Sequence, residues 1–230
     1  MINPSRALKV LLCFVANLLL VLLFQVLSGT YSSELAHWPD EPSHAASALM
    51  VRDYIVSHSP PHPIRFAEIF YAHYPKSAIG IWPPLYYLVA ACWLLLFGVS
   101  NTSFLTLTAV VTATLATLVA VFAEKLFGYK TAVAIGLLFV VLPQIVIGQT
   151  MFMLDIPVAL MQFIAMWAFI KLVRTERVSW AIAFGILVAL ATLIKGNAIA
   201  LVLIPVFFIL LTGRWRMLIQ KQLYLLINNI

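Results

Sequence analysis

The sequence predicts an all-α membrane protein of about six transmembrane helices, with a long external first loop that carries two interfacial helices. Three observations lead there. The first is composition: of 230 residues, 63% are hydrophobic and 10% charged, with a mean hydropathy of +1.04. A soluble domain carries about 25% charged and 45–50% apolar residues. The second is the recurrence of apolar runs near the length of about 20 residues that crosses a hydrocarbon core. The third is the placing of the basic residues in short clusters at the ends of those runs, as topology determinants are. The net charge of +6 therefore belongs to membrane orientation and gives no reason to expect nucleic acid as a partner. Cys13 and Cys92 both fall in apolar sequence, which supports neither a disulfide framework nor a cysteine metal site.

Arg6 and Lys9 precede an apolar run to Leu27. The run outlasts a signal-peptide core of about 7–15 residues and has no A-x-A site, so residues 7–27 are expected to stay as the first span. Further spans are expected at 104–123, 131–148, 156–172, 180–194 and 198–211. The last two form an apolar block broken by Lys195-Gly196-Asn197. As one straight helix it would be roughly 48 Å long, more than a bilayer accepts, so a hairpin turning at Lys195 is expected.

The segment 85–97 is too short for an ordinary span and suits an interfacial helix. Charge asymmetry decides. If it lies on the membrane, Arg6, Lys9, Lys125, Lys130, Lys171, Arg174, Arg177, Arg214, Arg216 and Lys221 all fall inside, and Arg52, Arg65, Lys76 and Lys195 outside. If it spans, most of the first group moves outside, against the positive-inside rule. Lying on the membrane, it leaves the N-terminus cytoplasmic and the first loop, 28–103, external. Glu34, Asp40, Glu41, Asp53, Glu68, Asp155 and all five histidines then gather on the outer side.

Within that loop Asp40 is placed to cap a helix from Pro42 to about His58, with Ala45, Ala48, Leu49, Ile55 and Val56 giving it an apolar side for the membrane surface. The Pro60-Pro61-His62-Pro63 run ends it. Trp82-Pro83-Pro84 opens the second surface helix, and Trp82, Tyr86, Tyr87 and Trp93 suit the interface belt. Residues 1–217 are read as one transmembrane module, and 218–230 as a tail or the start of a further span.

Several groups are candidates for chemistry. Asp40-Glu41 is either an N-cap pair or a carboxylate serving as general base or metal ligand at a helix N-terminus. Asp155, the one acid between two spans in Leu154-Asp155-Ile156-Pro157, is a helix cap or faces a cavity near the first loop. Lys195 snorkels to the interface or binds a lipid-linked phosphate. Arg52, Arg65 and Lys76 are solvated charges or phosphate contacts. No His pair has H-E-x-x-H spacing, and His44 and His73 are the pair of interest. Asn101-Thr102-Ser103 matches a glycosylation sequon but abuts a span.

Taken in order, Asp40-Glu41-Pro42-Ser43-His44, Trp82-Pro83-Pro84-Leu85-Tyr86-Tyr87, Leu154-Asp155-Ile156-Pro157 and Leu193-Ile194-Lys195-Gly196 resemble the GT-C glycosyltransferases. The nearest group is RgtA/B/C/D-like, with protein mannosyltransferases and lipid A aminoarabinose transferases as more distant kin. The resemblance implies an inverting transferase, or its N-terminal module, in a bacterial inner or plasma membrane. It would move a sugar from a polyprenyl-phosphate donor to a lipid, glycan or protein hydroxyl. Asp40 would be the base, and Glu41 or Asp155 would orient the acceptor or, with Asp40, hold a divalent cation. Lys195, Lys76 and Arg65 would meet the phosphate, beside His44, Trp82 and Tyr86. Relatives often carry Lys or His at the position of Trp82, and usually have more spans than this chain. The rival readings are a non-catalytic remnant or assembly protein and, behind it, a lipid transporter.

Overall fold

A computed structural model describes residues 4–33, 35, 38–57, 62–77 and 80–214. The tail 218–230, Arg216, Lys221, Glu34, His37 and His58 lie outside the described residues. Among the described residues every regular element is helical, and the protein is an all-α membrane protein. It forms two compact units, Met1–Leu160 and Met161–Ile230, divided inside one long helix.

In the first unit, α1 (Pro4–Leu27), α5 (Asn101–Phe127) and α6 (Tyr129–Val140) pack on one another. Their core is small and tight: Val21, Ala109, Ala116 and Val140 are wholly buried. Alanine and glycine at such contacts let helix backbones approach closely where lipid tails give helices no hydrophobic reason to associate. Gly136 marks the closest approach. A Cβ there would stand 3.1 Å from Ala120 Cβ and 3.3 Å from both the Ala116 carbonyl oxygen and Asn17 Nδ2.

Asn17 and Gln25, inside this apolar bundle, find partners across it. Asn17 Nδ2 donates to Thr117 Oγ1 at 3.2 Å. Gln25, fully buried, donates through Nε2 to the carbonyls of Leu105 (3.0 Å) and Gln149 (2.7 Å), and Tyr31 donates to its Oε1 at 2.6 Å. Thr108, Thr112, Thr114 and Thr117 return their hydroxyls to the carbonyl one turn earlier.

The expected span 131–148 is not straight. It is two helices, α6 and α7 (Pro143–Gln149), bent by 64°. Pro143 has no N–H to continue the ladder, and its ring would collide with the carbonyl of Phe139. Among the described residues α1, α5 and α8 (Asp155–Thr175) are long and apolar enough to cross a membrane, which makes three spans, or four if the bent pair counts as one. The other expected spans correspond to apolar but shorter helices, α9 (Val178–Thr192) and the stretch Gly196–Thr212.

Among the described residues the loop between α1 and α5 holds three α-helices rather than two: α2 (Glu41–Val56), α3 (Pro63–His73) and α4 (Leu85–Phe97). The unexpected one is α3. Pro63 occupies its first turn, where a missing N–H costs nothing. The proline run that ends one helix thus also opens another. The packed side of α2 differs from expectation too. Glu41, His44, Ala45, Ser47 and Ala48 form its buried stripe, and α2 packs on α4, while Ile55 and Val56 remain exposed. On α4, Tyr86, Tyr87, Ala90, Ala91 and Leu94 are buried and Leu88, Val89, Leu96 and Phe97 exposed, as suits a helix between protein and lipid.

In the second unit Phe169 of α8 meets Phe184 of α9 and, edge-on, Phe208 of α10 (Leu203–Thr212), with ring centroids 5.3 and 5.6 Å away. After α9 the backbone is extended at Lys195, and a 3₁₀ turn over Gly196–Val202 packs back on α9.

Gly136→Val should weaken the first unit by about 1–3 kcal/mol, the usual range for overpacking, and lower the melting temperature in detergent. Gly185→Ala should not, because nothing lies within 4 Å of the added Cβ.

Candidate active site

The loop helices of the first unit surround a cleft of about 490 Å³. Its walls come from three places: Asp40 and Ser43 at the start of α2, Glu68 and Tyr71 on α3, and Lys76 and Trp82 on the connector to α4. The volume is of the order that small-molecule sites occupy. Asp40 is exposed, and although it sits at the N-cap position its side chain makes no capping hydrogen bond. The expected side-chain cap is not made; the Asp40 carbonyl only accepts the first helical bond, from the His44 N–H at 2.9 Å. Glu68 and Tyr71 face the cleft together because positions three apart share one side of a helix.

Behind the cleft lies a buried polar layer. His44 is 2% exposed; its Nδ1 shares a 2.8 Å hydrogen bond with the Tyr87 hydroxyl, and its ring lies 5.6 Å from that of Trp82. Burial pushes the Tyr87 phenol above its ordinary value; a hydrogen bond with Ser47 opposes this and the charge of Asp40 adds to it. Burial also raises the Tyr86 phenol. The Tyr86 hydroxyl has no hydrogen-bond partner among the described residues, and its ring stacks on Phe152 at 5.6 Å.

The two adjacent acids go separate ways. Asp40 faces the cleft, while Glu41 is 1% exposed and its Oε1 accepts the Phe152 N–H at 2.8 Å. Phe152 precedes Asp155 by three residues, and Asp155 stands exposed in the first turn of α8. The structure therefore brings Asp40, Lys76 and Trp82 to one cleft, sets His44 beneath it, and ties Glu41 to the approach to Asp155. Arg65, one turn before Glu68, pairs with it at 3.2 Å, both side chains being exposed. Arg52 pairs with its neighbour Asp53 at 2.7 Å. His73 is joined through Nδ1 to the Ile69 carbonyl of its own helix, in surroundings unlike those of His44. Lys195 belongs to the second unit. Asn101 of the sequon is engaged, donating to the carbonyls of Thr30 (3.1 Å) and Ser33 (2.7 Å).

Residues 82–229, well over half of the chain, match the family model described as dolichyl-phosphate-mannose-protein mannosyltransferase. The chain belongs to this family. No curated protein and no solved structure gives a significant match. Membership makes the protein a glycosyltransferase of the GT-C type, as the sequence motifs suggested. The matched stretch of this mannosyltransferase-family chain includes Trp82, Tyr86, Asp155 and Lys195, and begins after Asp40 and Glu41.

The divalent cation that the resemblance implies needs several oxygen or nitrogen donors. Among the described residues no three His, Cys, Asp or Glu side chains come together. That donor set does not fit a protein-built cation site.

Sequence reasoning passed over Ser43, Tyr71, Ser47, Tyr87 and Phe152 as site residues. The i, i+3 spacing of Glu68 and Tyr71 was the available signal, but it becomes one only once α3 is known to be a helix.

The raised phenols give a pH prediction. Folded protein keeps protons on Tyr86 and Tyr87 where the unfolded chain releases them near pH 10. Their contribution to stability is therefore present below about pH 10 and lost as pH rises beyond it. Phenolate absorbance up to pH about 11 should be the same for the parent and for Tyr86→Phe and Tyr87→Phe, until unfolding releases both groups at once.

Proposed function

We propose that the protein is an inverting transferase moving a sugar from a polyprenyl-phosphate donor to an acceptor hydroxyl at the outer membrane face. The observation that carries this reading is an uncapped, exposed Asp40 carboxylate on a cleft that also holds Lys76 and Trp82. Asp40 takes the proton from the acceptor hydroxyl as its oxygen attacks the anomeric carbon. The new C–O bond forms as the bond to the phosphate oxygen breaks, and polyprenyl phosphate leaves with the electron pair. A phosphate leaving group calls for positive charge rather than a general acid. Lys76 supplies it from the cleft.

The topology belongs to the same proposal: six spans, N-terminus inside, first loop outside, in a bacterial inner membrane. It rests on the distribution of bases. The polyprenyl chain would lie in the bilayer beside the exposed apolar face of α4, and the acceptor would enter from water past α3.

Proteoliposomes holding the full chain and radiolabelled polyprenyl-phosphate mannose should release or transfer labelled sugar. Asp40→Asn should lower the rate by about 10²–10⁴-fold, the usual worth of a positioned base. Undiminished transfer by that variant would remove Asp40 from the role.

A further inference from the structure

Successive positions at a helix start project about 100° apart, so Asp40 and Glu41 cannot serve the same space. Glu41 turns inward, and its carboxylate oxygen receives the Phe152 amide at 2.8 Å. Phe152 has no exposed surface; its ring contacts those of Tyr86, at 5.6 Å, and Phe104, at 4.6 Å. A hydrogen bond to a carboxylate is stronger than one between neutral groups, and low-dielectric surroundings strengthen it further. It joins positions 111 residues apart in sequence. One end lies next to Asp40 and the other lies three residues before Asp155.

Attaching α2 to the protein does not need this bond. Ala45 and Ala48 are already buried where α2 packs on α4, and His44 is joined to Tyr87. An apolar side chain at position 41 would add to that packing without the desolvation that a buried carboxylate suffers. What a directed hydrogen bond adds is a fixed distance and angle. A fixed angle at Glu41 is a fixed direction for the neighbouring Asp40.

We propose that Glu41 is a positioning residue: its carboxylate straps the Asp40 end of α2 to the segment leading into Asp155, so that the two external loops hold one arrangement around the cleft. The proposal rests on the reading of Asp40 as base, and its test separates the two. Catalysis is sensitive to such placing, since displacing a group by about 1 Å can lower a rate on the order of 100-fold.

The experiment uses the full chain in nanodiscs, with hydrogen exchange followed at residues 38–44 and 151–155 and transfer followed with polyprenyl-phosphate mannose. Glu41→Ala should speed exchange in both segments together and lower kcat roughly 100-fold, leaving KM for the donor unchanged. Glu41→Gln keeps an oxygen acceptor for the Phe152 amide and should recover most of the protection and of kcat. Glu41→Asp keeps the charge but withdraws it by one methylene; it must loosen both segments too, and it carries the test if the alanine variant does not fold. Faster exchange in only one segment, or an unchanged kcat in Glu41→Ala, overturns the strap. A rise in KM with kcat intact also overturns it. Transfer surviving in Asp40→Asn sinks the base assignment alone, and the paired exchange result then decides the strap.

Discussion

The Gln25 side chain sets the frame on which the loop between α1 and α5 is built. It is buried near the C-terminal end of α1, with both amide hydrogens on backbone carbonyls of other helices, Leu105 and Gln149, and its oxygen on Tyr31. Each of those carbonyls lies in apolar surroundings where a lost partner costs roughly 1–3 kcal/mol. One residue thus fixes the relative position of α1, α5 and α7. Nearby bonds continue the pattern. Thr30 donates to the Thr150 carbonyl at 2.7 Å, and Asn101 reaches back to Thr30 and Ser33. Both ends of the loop are therefore held by side chain to backbone bonds before any of its own helices pack. A long loop can keep a defined cleft only if its ends are placed in this way, because the entropy of closing it grows with length.

The next layer is polar packing between α2 and α4. Glu41, His44 and Ser47 lie on the same buried stripe as Ala45 and Ala48. Their partners are Phe152 for Glu41 and Tyr87 for His44 and Ser47. Each is a group whose burial is tolerable only because a partner stands opposite. The result is a rigid floor under the cleft, with Trp82 resting on His44 and Asp40 open above it. Rigidity below and exposure above is the arrangement that a group acting on an incoming substrate requires.

How much of this was legible depended on whether the physical cause lies in composition or in direction. Burial in lipid is a property of residue type summed over a run, so the helical membrane class and the ends of α1, α5 and α8 could be read from hydropathy. The turn at Lys195 could be read too, because a charge interrupts the apolar block. The bend at Pro143 was hidden because the apolar run continues through it, while the cause is one missing N–H and one steric clash. The helix α3 was hidden because a proline cluster reads as a stop, whereas Pro63 is also a permitted first residue. Asp40, Lys76 and Trp82 could be picked out as chemistry-bearing types in an otherwise apolar chain. That Glu41 would turn away from Asp40 could not, because the choice depends on which of two neighbouring directions faces the protein.

The position of the cleft relative to the apolar surface is a constraint on any lipid-linked substrate. One side of α4 carries Leu88, Val89, Leu96 and Phe97 outward, and Trp82, three residues before its start, lines the cleft. A donor with a long hydrocarbon tail and a phosphate head must change surroundings within a few ångströms along its own length. The α4 face and the Trp82–Lys76 edge of the cleft offer that change in the right order, apolar and then cationic. Across the cleft stand Glu68 and Tyr71 of α3, a helix none of whose residues is buried and which packs only lightly on α2. On the proposed reading, the more firmly held wall would face the donor and the exposed one the acceptor. A transferase built this way can keep its donor chemistry fixed while α3 changes to suit a different acceptor.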